Sequence, residues 1–306
     1  MITAGIDVGS NSVRMLIADV QAGKIVKKIY SGRALTRLSA GIEKTGKLSP
    51  AGVEKTLDLF KTFAENIKKY KADKVIAVAT SAVREASDSV AFLSKAAELG
   101  IPLIAISGEQ EAYYTYKGVV SSMAQVPSPA LVYDIGGGST EFIYVKDGQL
   151  LYNISVPIGV VKLSDKFGFQ NITDASVHKA CKDYLLEKFN DVAGKISTFE
   201  KPKVLIGVAG SVTTIAAVDA ATTSFKPDEI EGYVLRQDNI AQILTTLCAM
   251  TGADRLKVAG VEAGREDLIP AGIIAIQVIM SLFNQTESHV SVYGLREGVT
   301  IAAEQD

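Results

Sequence analysis

Cysteine, histidine and tryptophan are nearly absent from this sequence of 306 residues. It has two cysteines, two histidines and no tryptophan. Two cysteines and two histidines are too few for a Cys/His-rich zinc site, and they exclude a disulfide-rich scaffold. We expect Cys181 and Cys248 to be buried thiols and His178 and His289 to be structural. Any catalysis must therefore depend on carboxylates, hydroxyls, Arg or Lys, backbone amides, or a metal held by oxygen.

A strong charge of either sign is also missing. Lys plus Arg number 32 and Asp plus Glu number 34, for a formal net charge of -2. This balance excludes a highly basic nucleic-acid coat and an acidic tail, so we expect no DNA or RNA duplex as a partner. The longest apolar runs, Val204–Val218 and Leu268–Phe283, are short for a membrane span. The first ten residues lack the features of a signal peptide, and we expect a cytoplasmic protein that does not enter membranes.

Apolar strands and amphipathic helices alternate along most of the chain. Residues 3–8, 13–20 and 24–30 form three apolar stretches separated by Gly-containing turns, which predicts a β-meander. Ser49 and Pro50 then begin an amphipathic helix, and strands at 74–79 and 102–107 each precede a further helix. This alternation predicts an α/β fold with parallel strands. The length of the chain suggests two domains.

The second half of the sequence repeats the first. Residues 134–139, DIGGGS, resemble residues 7–12, DVGSNS, at an offset of 127 residues, and each segment lies between apolar strands. The next turn also recurs, as Ala22-Gly23 and as Asp147-Gly148. We therefore predict a duplicated domain with a cleft between the copies. The predicted domains are residues 1–124 with about 294–306, and residues 125–293, because the last helix is expected to return to the first domain.

The two repeated turns are candidate phosphate-binding loops. A hairpin rich in Gly and Ser can direct several backbone N–H groups at one anion, although a single such turn is most often only a tight hairpin. Neither segment matches the Walker loop or opens directly into a helix as a Rossmann turn does. The candidate phosphate ligands are Ser10, Asn11, Ser12, Gly136, Gly137, Gly138 and Ser139.

Acidic residues adjoin both turns. Asp7 and Asp134 end the preceding strands, and Glu141 follows the second turn. Carboxylates beside a phosphate repel it unless a cation lies between them, and Mg²⁺ accepts one or two carboxylates together with waters and phosphate oxygens. The alternative is that each carboxylate caps nearby turn amides. For Asp134 the metal-ligand and the capping interpretations stay equally open. For Asp7 and Glu141 the metal-ligand interpretation has less support.

Glu111 and Arg84 are the candidates for chemistry at helix starts. Ser107 and Gln110 predict a capping box, and Glu109 and Glu111 then lie in the first turn, where the helix dipole favours carboxylates. Glu111 could equally orient a water as a general base. Arg84 lies in the first turn of another helix, where a cation is disfavoured unless it has an anionic partner, either a phosphate or a nearby Glu.

A further strand–turn–helix segment could form a second anion or nucleoside site. Residues 207–214, GVAGSVTT, follow a strand and begin a helix. Close packing of the helix on the strand explains the glycines equally well. The candidate residues are Gly207, Gly210, Ser211 and Thr213.

Taken together in this order, these segments resemble the exopolyphosphatase/guanosine pentaphosphate phosphohydrolase (Ppx/GppA) family, a branch of the actin and sugar-kinase superfamily. The resemblance spans residues 5–298. It rests on GIDVGSNSVRMLIADV, ATSAVREA, ISGEQEA, VYDIGGGSTEF, GVAGSVTT, REDLIPAG and YGLREG.

The resemblance implies two ribonuclease-H-like domains around a cleft, and Mg²⁺-dependent hydrolysis of polyphosphate or guanosine pentaphosphate (pppGpp). It implies that Glu111 is the catalytic base and that Arg84 binds phosphate. It also implies that the two turns bind phosphates, that Asp134 and Glu141 are linked to the metal, and that the protein is a homodimer. A kinase or ATPase of the same superfamily and a non-catalytic sensor of polyphosphate or alarmones are the alternatives.

The sequence departs from the family pattern at two places. Gln110 occupies a position where an acid is frequent, so we expect a less negative first turn, little effect on the chemistry and a changed requirement for the divalent cation. The chain ends shortly after GLREG, where longer members continue into a helical domain with an HD-type motif, and we expect a weaker hold on long chains.

Overall fold

The computed structural model describes residues 1–123, 127–222 and 227–305. The chain divides into two compact units. The first comprises Met1–Ala124 and Tyr293–Asp306, and the second comprises Gln125–Val292.

The first unit is built on a mixed sheet with the strand order β3-β2-β1-β4-β5. β1 pairs with β2 antiparallel and with β4 parallel, and β4 pairs with β5 parallel. The predicted strand at 102–107 is shorter in the structure, at Leu103–Ala105. In chain order the elements are β1 (Ile2–Val8), β2 (Ser12–Gln21), β3 (Lys24–Leu35), α1 (Ile42–Thr45), α2 (Pro50–Lys69), β4 (Lys74–Ala79), α3 (Ser81–Glu85), α4 (Ser89–Glu98), β5 (Leu103–Ala105) and α5 (Gly108–Ser122).

The second unit repeats this arrangement and adds an edge strand, in the order β10-β11-β9-β6-β7-β8. β6, β9 and β11 are parallel, as β1, β4 and β5 are in the first unit. Its elements are β6 (Ala130–Ile135), β7 (Thr140–Lys146), β8 (Gln149–Val156), α6 (Val160–Phe167), α7 (Ala175–Ile196), β9 (Val204–Val208), α8 (Ala209–Asp219), α9 (Pro227–Ile230), β10 (Val234–Arg236), α10 (Gln237–Cys248), α11 (Gly252–Arg255), α12 (Ile269–Leu282) and β11 (Glu287–Val290). The predicted α/β fold class is confirmed by this architecture and by the solved structures that resemble it.

The last helix, α13 (Leu295–Ala302), belongs to the first unit. It packs against β1 and α5, and the hydroxyl of Thr3 donates to the carbonyl of Thr300 at 2.8 Å. Gly298 lies so close to the Tyr114 carbonyl that a side chain at this position would collide with the α5 backbone. Gly298, the second glycine of the YGLREG motif, therefore allows α13 to pack closely against α5.

Tight turns close the outer hairpin of each unit, as the sequence predicts. Ala22 and Gly23 have φ values of 50° and 72°, and Asp147 and Gly148 have 52° and 74°. Positive φ at both central residues is typical of a type I′ turn, whose twist matches that of the strands. The carboxylate of Glu304 accepts from both amides of the first turn, at 3.1 and 2.7 Å.

Helices bury one face each against these sheets. Ser49 is the N-cap of α2 and Pro50 occupies its first turn, as predicted, and its Phe60 and Phe63 are buried while its lysines are outside. α12 differs, because all residues from Ile269 to Met280 are buried in the core of the second unit. Within residues 1–123, 127–222 and 227–305, every helix is too short or too polar to cross a membrane.

Both cysteines are buried, reduced thiols of the second unit, as the sequence predicts. Burial raises the pKa of the Cys181 thiol to about 12. Burial also raises the pKa of Cys248, although a hydrogen bond with Thr173 and the charge of Arg255 act in the opposite direction.

We predict that neither thiol reacts appreciably with iodoacetamide at neutral pH while the protein is folded, because the thiolate is the nucleophile and the thiols are shielded. Mass spectrometry of the alkylated protein measures this. Denatured protein, in which both thiols should react fully, is the control. Fast labelling of the native protein at either position would show that the second unit's core is open.

Candidate active site

Three loops of the first unit meet at one edge of its sheet. The parallel strands β1, β4 and β5 end at Val8, Ala79 and Ala105, and are followed by the hairpin 9–12, by α3 and by α5. The carboxyl ends of parallel strands lie at the same edge, where α/β folds place their ligands. The predicted residues Ser10, Asn11, Ser12, Arg84 and Glu111 therefore belong to one edge.

The hairpin 9–12 is held in a fixed conformation. The Gly9 amide donates to the Ser12 carbonyl at 2.9 Å, and the hydroxyls of Ser10 and Ser81 lie 3.1 Å apart. Asn11 is 6% exposed, and neither its side-chain nitrogen nor its side-chain oxygen finds a hydrogen-bond partner among the described residues. A buried amide without partners is costly, so this side chain is suited to a polar ligand.

Glu111 and Arg84 form a pair at the same edge. One guanidinium nitrogen of Arg84, Nη1, donates to the Ile106 carbonyl at 2.8 Å and lies 3.5 Å from Oε2 of Glu111. Glu111 is 6% exposed, whereas about a third of the Arg84 side chain reaches solvent. The carbonyl contact orients Arg84, and the pair places a buried carboxylate beside an accessible cation.

Glu109 and Glu111 lie in the first turn of α5 but have different environments. The predicted capping box is present, because the Gln110 amide donates to Ser107 Oγ at 3.2 Å and the Ser107 amide donates to Gln110 Oε1 at 2.9 Å. Hydrogen bonds with its own amide and with Ser107 lower the pKa of the exposed Glu109, and Arg84 lowers it further. Glu109 is therefore a solvated carboxylate at a helix start, and Glu111 is the buried one.

The hairpin 136–139 of the second unit has the same turn. The Gly136 amide donates to the Ser139 carbonyl at 3.0 Å, in the position that Gly9 and Ser12 occupy in the first unit. The first amides of α6 donate to this loop, from Val160 to the Gly136 carbonyl at 3.0 Å and from Val161 to the Gly137 carbonyl at 2.9 Å. The loop conformation is thus set by α6.

The acidic candidates differ in the residue that faces each of them across the hairpin. Asp7 is opposite Arg14, whose Nε and Nη2 donate to Asp7 Oδ2 at 3.1 and 2.7 Å. Asp134 is opposite Glu141, and the Ser155 hydroxyl donates to Glu141 Oε1 at 2.6 Å. Two carboxylates directly opposite on a sheet destabilise each other. The second unit thus has two carboxylates opposite each other at the position where the first unit has a carboxylate opposite a guanidinium.

Asp134 and Glu141 have the donor chemistry that a hard divalent cation requires. Among the described residues, no group of three or more His, Cys, Asp or Glu side chains is arranged to hold a metal. Mg²⁺ does not need such a group, because it is commonly bound by one or two carboxylates with waters and substrate phosphates. Two adjacent buried carboxylates fit this ion.

Packing accounts for the glycines around the start of α8. A side chain at Gly207 would meet the Tyr133 ring, and one at Gly210 would collide with the Arg265 guanidinium. The hydroxyl of Thr213 donates to the Gly210 carbonyl at 3.3 Å, and Ser211 is buried. The structure thus supplies the packing explanation for these glycines, and the second anion or nucleoside site stays a prediction.

Two arginines at these edges were not among the candidates from sequence. The partner role of Arg14 is predictable from the sequence, because pairing the two strands around the turn at 9–12 places Arg14 opposite Asp7. Arg265 is 7% exposed, is paired with Glu262 at 2.9 Å and lies against Gly210. It comes from a segment 55 residues away in sequence, so no local pattern predicts the contact.

Comparison with known proteins agrees with the resemblance seen in the motifs. The model of the Ppx/GppA phosphatase family matches residues 16–305. A solved structure of the Aquifex aeolicus Ppx/GppA enzyme is 32% identical, with a TM-score of 0.84 and 99% of each chain covered.

Three curated relatives bear more specific names. Exopolyphosphatase 2 of Mycobacterium tuberculosis is 27% identical over 283 residues, which cover 90% of this chain and 88% of that protein. A bifunctional 3-dehydroquinate synthase/phosphatase of Fusobacterium nucleatum is 31% identical over 92% of this chain and 43% of that protein. A guanosine-5′-triphosphate,3′-diphosphate pyrophosphatase of Pseudoalteromonas atlantica is 29% identical over 97% of this chain and 57% of that protein. The chain thus spans about half the length of two of these relatives.

The Asp7–Arg14 pair generates a prediction about stability. The substitution Arg14→Met leaves the Asp7 carboxylate buried without its cation. It should lower the free energy of unfolding by about 3 kcal/mol, the low end for a buried pair, because the Arg14 side chain is partly exposed. The double variant Asp7→Asn/Arg14→Met should be more stable than Arg14→Met alone, because the Asp7 carboxylate is then no longer buried without its cation. Urea unfolding of the three proteins measures both differences. Equal stability of Arg14→Met and wild type would show that the pair does not hold the hairpin.

Proposed function

The chain belongs to the Ppx/GppA phosphatase family, and on this premise we propose that it hydrolyses the terminal phosphoanhydride of inorganic polyphosphate and releases orthophosphate. The expectation of a phosphoanhydride hydrolase is confirmed at the level of the family. Polyphosphate as the substrate is part of the proposal. It is supported by the match to Exopolyphosphatase 2, which extends over 88% of that protein.

The observation that carries the proposal is the buried carboxylate of Glu111 beside the accessible guanidinium of Arg84, at the edge that also bears the hairpin 9–12. Phosphoryl transfer needs positioning and charge stabilisation more than covalent catalysis. Glu111 accepts a proton from the attacking water as the new P–O bond forms and the anhydride bond to the rest of the chain breaks. Arg84 stabilises the charge on the equatorial oxygens of the transferred phosphoryl group.

In this proposal the hairpin 9–12 of the first unit and the hairpin 136–139 of the second unit each bind phosphate. The amides of the Gly/Ser turns are the donors, with the hydroxyls of Ser10, Ser12 and Ser139 beside them. The unsatisfied side chain of Asn11 supports this role in the first unit, because a phosphate oxygen would accept from its amide nitrogen.

Asp134 and Glu141 are the proposed metal ligands, and Asp7 is the weakest candidate because it is already paired with Arg14. A magnesium ion bound there would supply neutralisation of phosphate charge. It would also relieve the repulsion between the two carboxylates.

Hydrolysis of pppGpp is the second candidate function. It is supported by the relative from Pseudoalteromonas atlantica, whose name states this activity. We rank it second because the match covers 57% of that protein. A protein that binds either phosphate compound without turnover is a further alternative, and the presence of a buried Glu111 argues against it.

Replacement of Glu111 by glutamine tests the proposal most simply. Glu111→Gln keeps the shape of the side chain but removes the base, and kcat should fall by about 10²–10⁴-fold. Glu109→Gln, two residues away on the same helix turn, is the matched control and should retain most of the activity. Orthophosphate release from polyphosphate is the measurement, with circular dichroism to show that both variants fold. Near-wild-type turnover by Glu111→Gln would contradict the assignment.

The metal assignment makes a separate prediction. Removal of divalent ions by EDTA should abolish turnover without unfolding the protein, and Mg²⁺ should restore it. Asp134→Asn and Glu141→Gln should each weaken binding of Mg²⁺ or Mn²⁺, measured by isothermal titration calorimetry. Glu187→Gln, an exposed acid of the same unit, should not. Unchanged ion binding in both site variants would place the metal elsewhere.

A further inference from the structure

Helix α12 carries one polar side chain in a segment that is otherwise apolar and buried. From Ile269 to Met280 every residue is buried, and Gln277 is the only one of them with a polar side chain. It is 8% exposed, and its Oε1 is enclosed without a hydrogen-bond partner among the described residues. A buried amide without partners is costly, and an apolar residue at this position would avoid that cost.

Two neighbouring cavities of the second unit share Gln277 in their linings. Their volumes are about 290 and 400 Å³. Lys182 of α7 and Ala241 of α10 also border both cavities. We call the two cavities, joined at these three residues, the α7–α10 groove. A groove of this size accommodates a small organic molecule.

The residue pattern of α7 accounts for one wall of the groove. Cys181 and Leu185 are buried in the core of the second unit. Lys182 and Leu186 each follow one of these buried residues, so they share the adjacent face of the helix, four residues apart. α7 and α10 both pack against α12, which forms the floor. The groove is therefore built from three helices and is separate from the hairpin 136–139.

Lys182 and Gln277 bring hydrogen-bond donors to the point that the two cavities share. Because Oε1 of Gln277 is enclosed, the amide nitrogen, Nε2, is the polar atom of this side chain that is left for a ligand. Lys182 is partly buried, and none of the described residues forms an ion pair with its ammonium group. Lys179, three residues earlier, is instead paired with Asp183 at 2.6 Å. Two donors beside the same cavities, one of them charged, favour an anion.

The distribution of charge in the groove determines which end of it suits an anion. Asp238 borders the smaller cavity, together with the apolar side chains of Leu186 and Val278. The larger cavity is bordered by His178, and by no carboxylate of the described residues. An anionic group therefore fits on the His178 side of Lys182, away from Asp238. An apolar group fits against Leu186 and Val278.

We propose that the α7–α10 groove binds a small organic anion that carries an apolar body. The anionic group accepts hydrogen bonds from Nζ of Lys182 and Nε2 of Gln277, and the apolar body covers Leu186 and Val278. Inorganic phosphate has no apolar part and should bind there only weakly. This site goes beyond the proposed function and does not depend on it.

Anilinonaphthalene sulfonate is the probe for this site, because it joins one sulfonate to an apolar aromatic body and binds accessible apolar surface. A fluorescence titration of the native protein should show one saturable site. Lys182→Met removes the cation and Gln277→Leu removes the amide, and each should raise the Kd of the probe about tenfold. Lys195→Met, which makes the same charge change elsewhere on α7, is the matched control and should bind the probe as wild type does.

Urea unfolding shows whether a loss of binding reflects a loss of the fold. Gln277→Leu should be at least as stable as wild type, because it removes an amide without partners from the core. Weaker probe binding in a stable Gln277→Leu variant is therefore the result that a purely structural role of Gln277 would not produce. Unchanged affinity in both Lys182→Met and Gln277→Leu would overturn the proposal.

Competition separates the groove from the proposed phosphate-binding hairpins. Tripolyphosphate should leave the probe bound, and Lys182→Met should release orthophosphate from polyphosphate at the wild-type rate. Displacement of the probe by tripolyphosphate would place it at the hairpins and overturn the groove. If wild type released no orthophosphate while the groove variants still lost the probe, the proposed function would fail and the groove would stand.

Discussion

A buried aspartate is the second-last residue of the first strand of each unit, and the residue opposite it across the hairpin differs between the units. In the first unit the opposite residue is Arg14, which neutralises Asp7 within the protein. In the second unit it is Glu141, which adds a second carboxylate to Asp134. The duplicated fold thus provides the same hairpin twice, once with a carboxylate opposite a guanidinium and once with two carboxylates opposite each other.

Local patterns in the sequence predict the repeated hairpins, the type I′ turns, the start of α2 and the capping box at Ser107 because neighbouring residues determine them. The fold class and the family follow from the same motifs. The bounds of β5 were overestimated because this strand pairs over only three residues, Leu103–Ala105, a limit that depends on its neighbour β4.

Contacts between distant segments account for what the sequence did not predict. The resemblance to the family assigned Glu111 as the base, whereas the burial that distinguishes Glu111 from Glu109 depends on packing that their spacing does not reveal. Arg265 lies against Gly210 through tertiary packing, and Gln277 borders the α7–α10 groove because α12 packs against both helices. The candidate roles of these groups therefore could not be separated from packing roles by spacing alone.

The central claim is that this chain removes the terminal phosphate from polyphosphate. It is tested most directly by measuring orthophosphate release with Mg²⁺, side by side on long polyphosphate, tripolyphosphate, pppGpp and ATP. We expect release from polyphosphate, with ATP largely spared. Release from pppGpp alone would reassign the substrate, and binding of polyphosphate with no release from any compound would contradict the claim that the protein is a hydrolase.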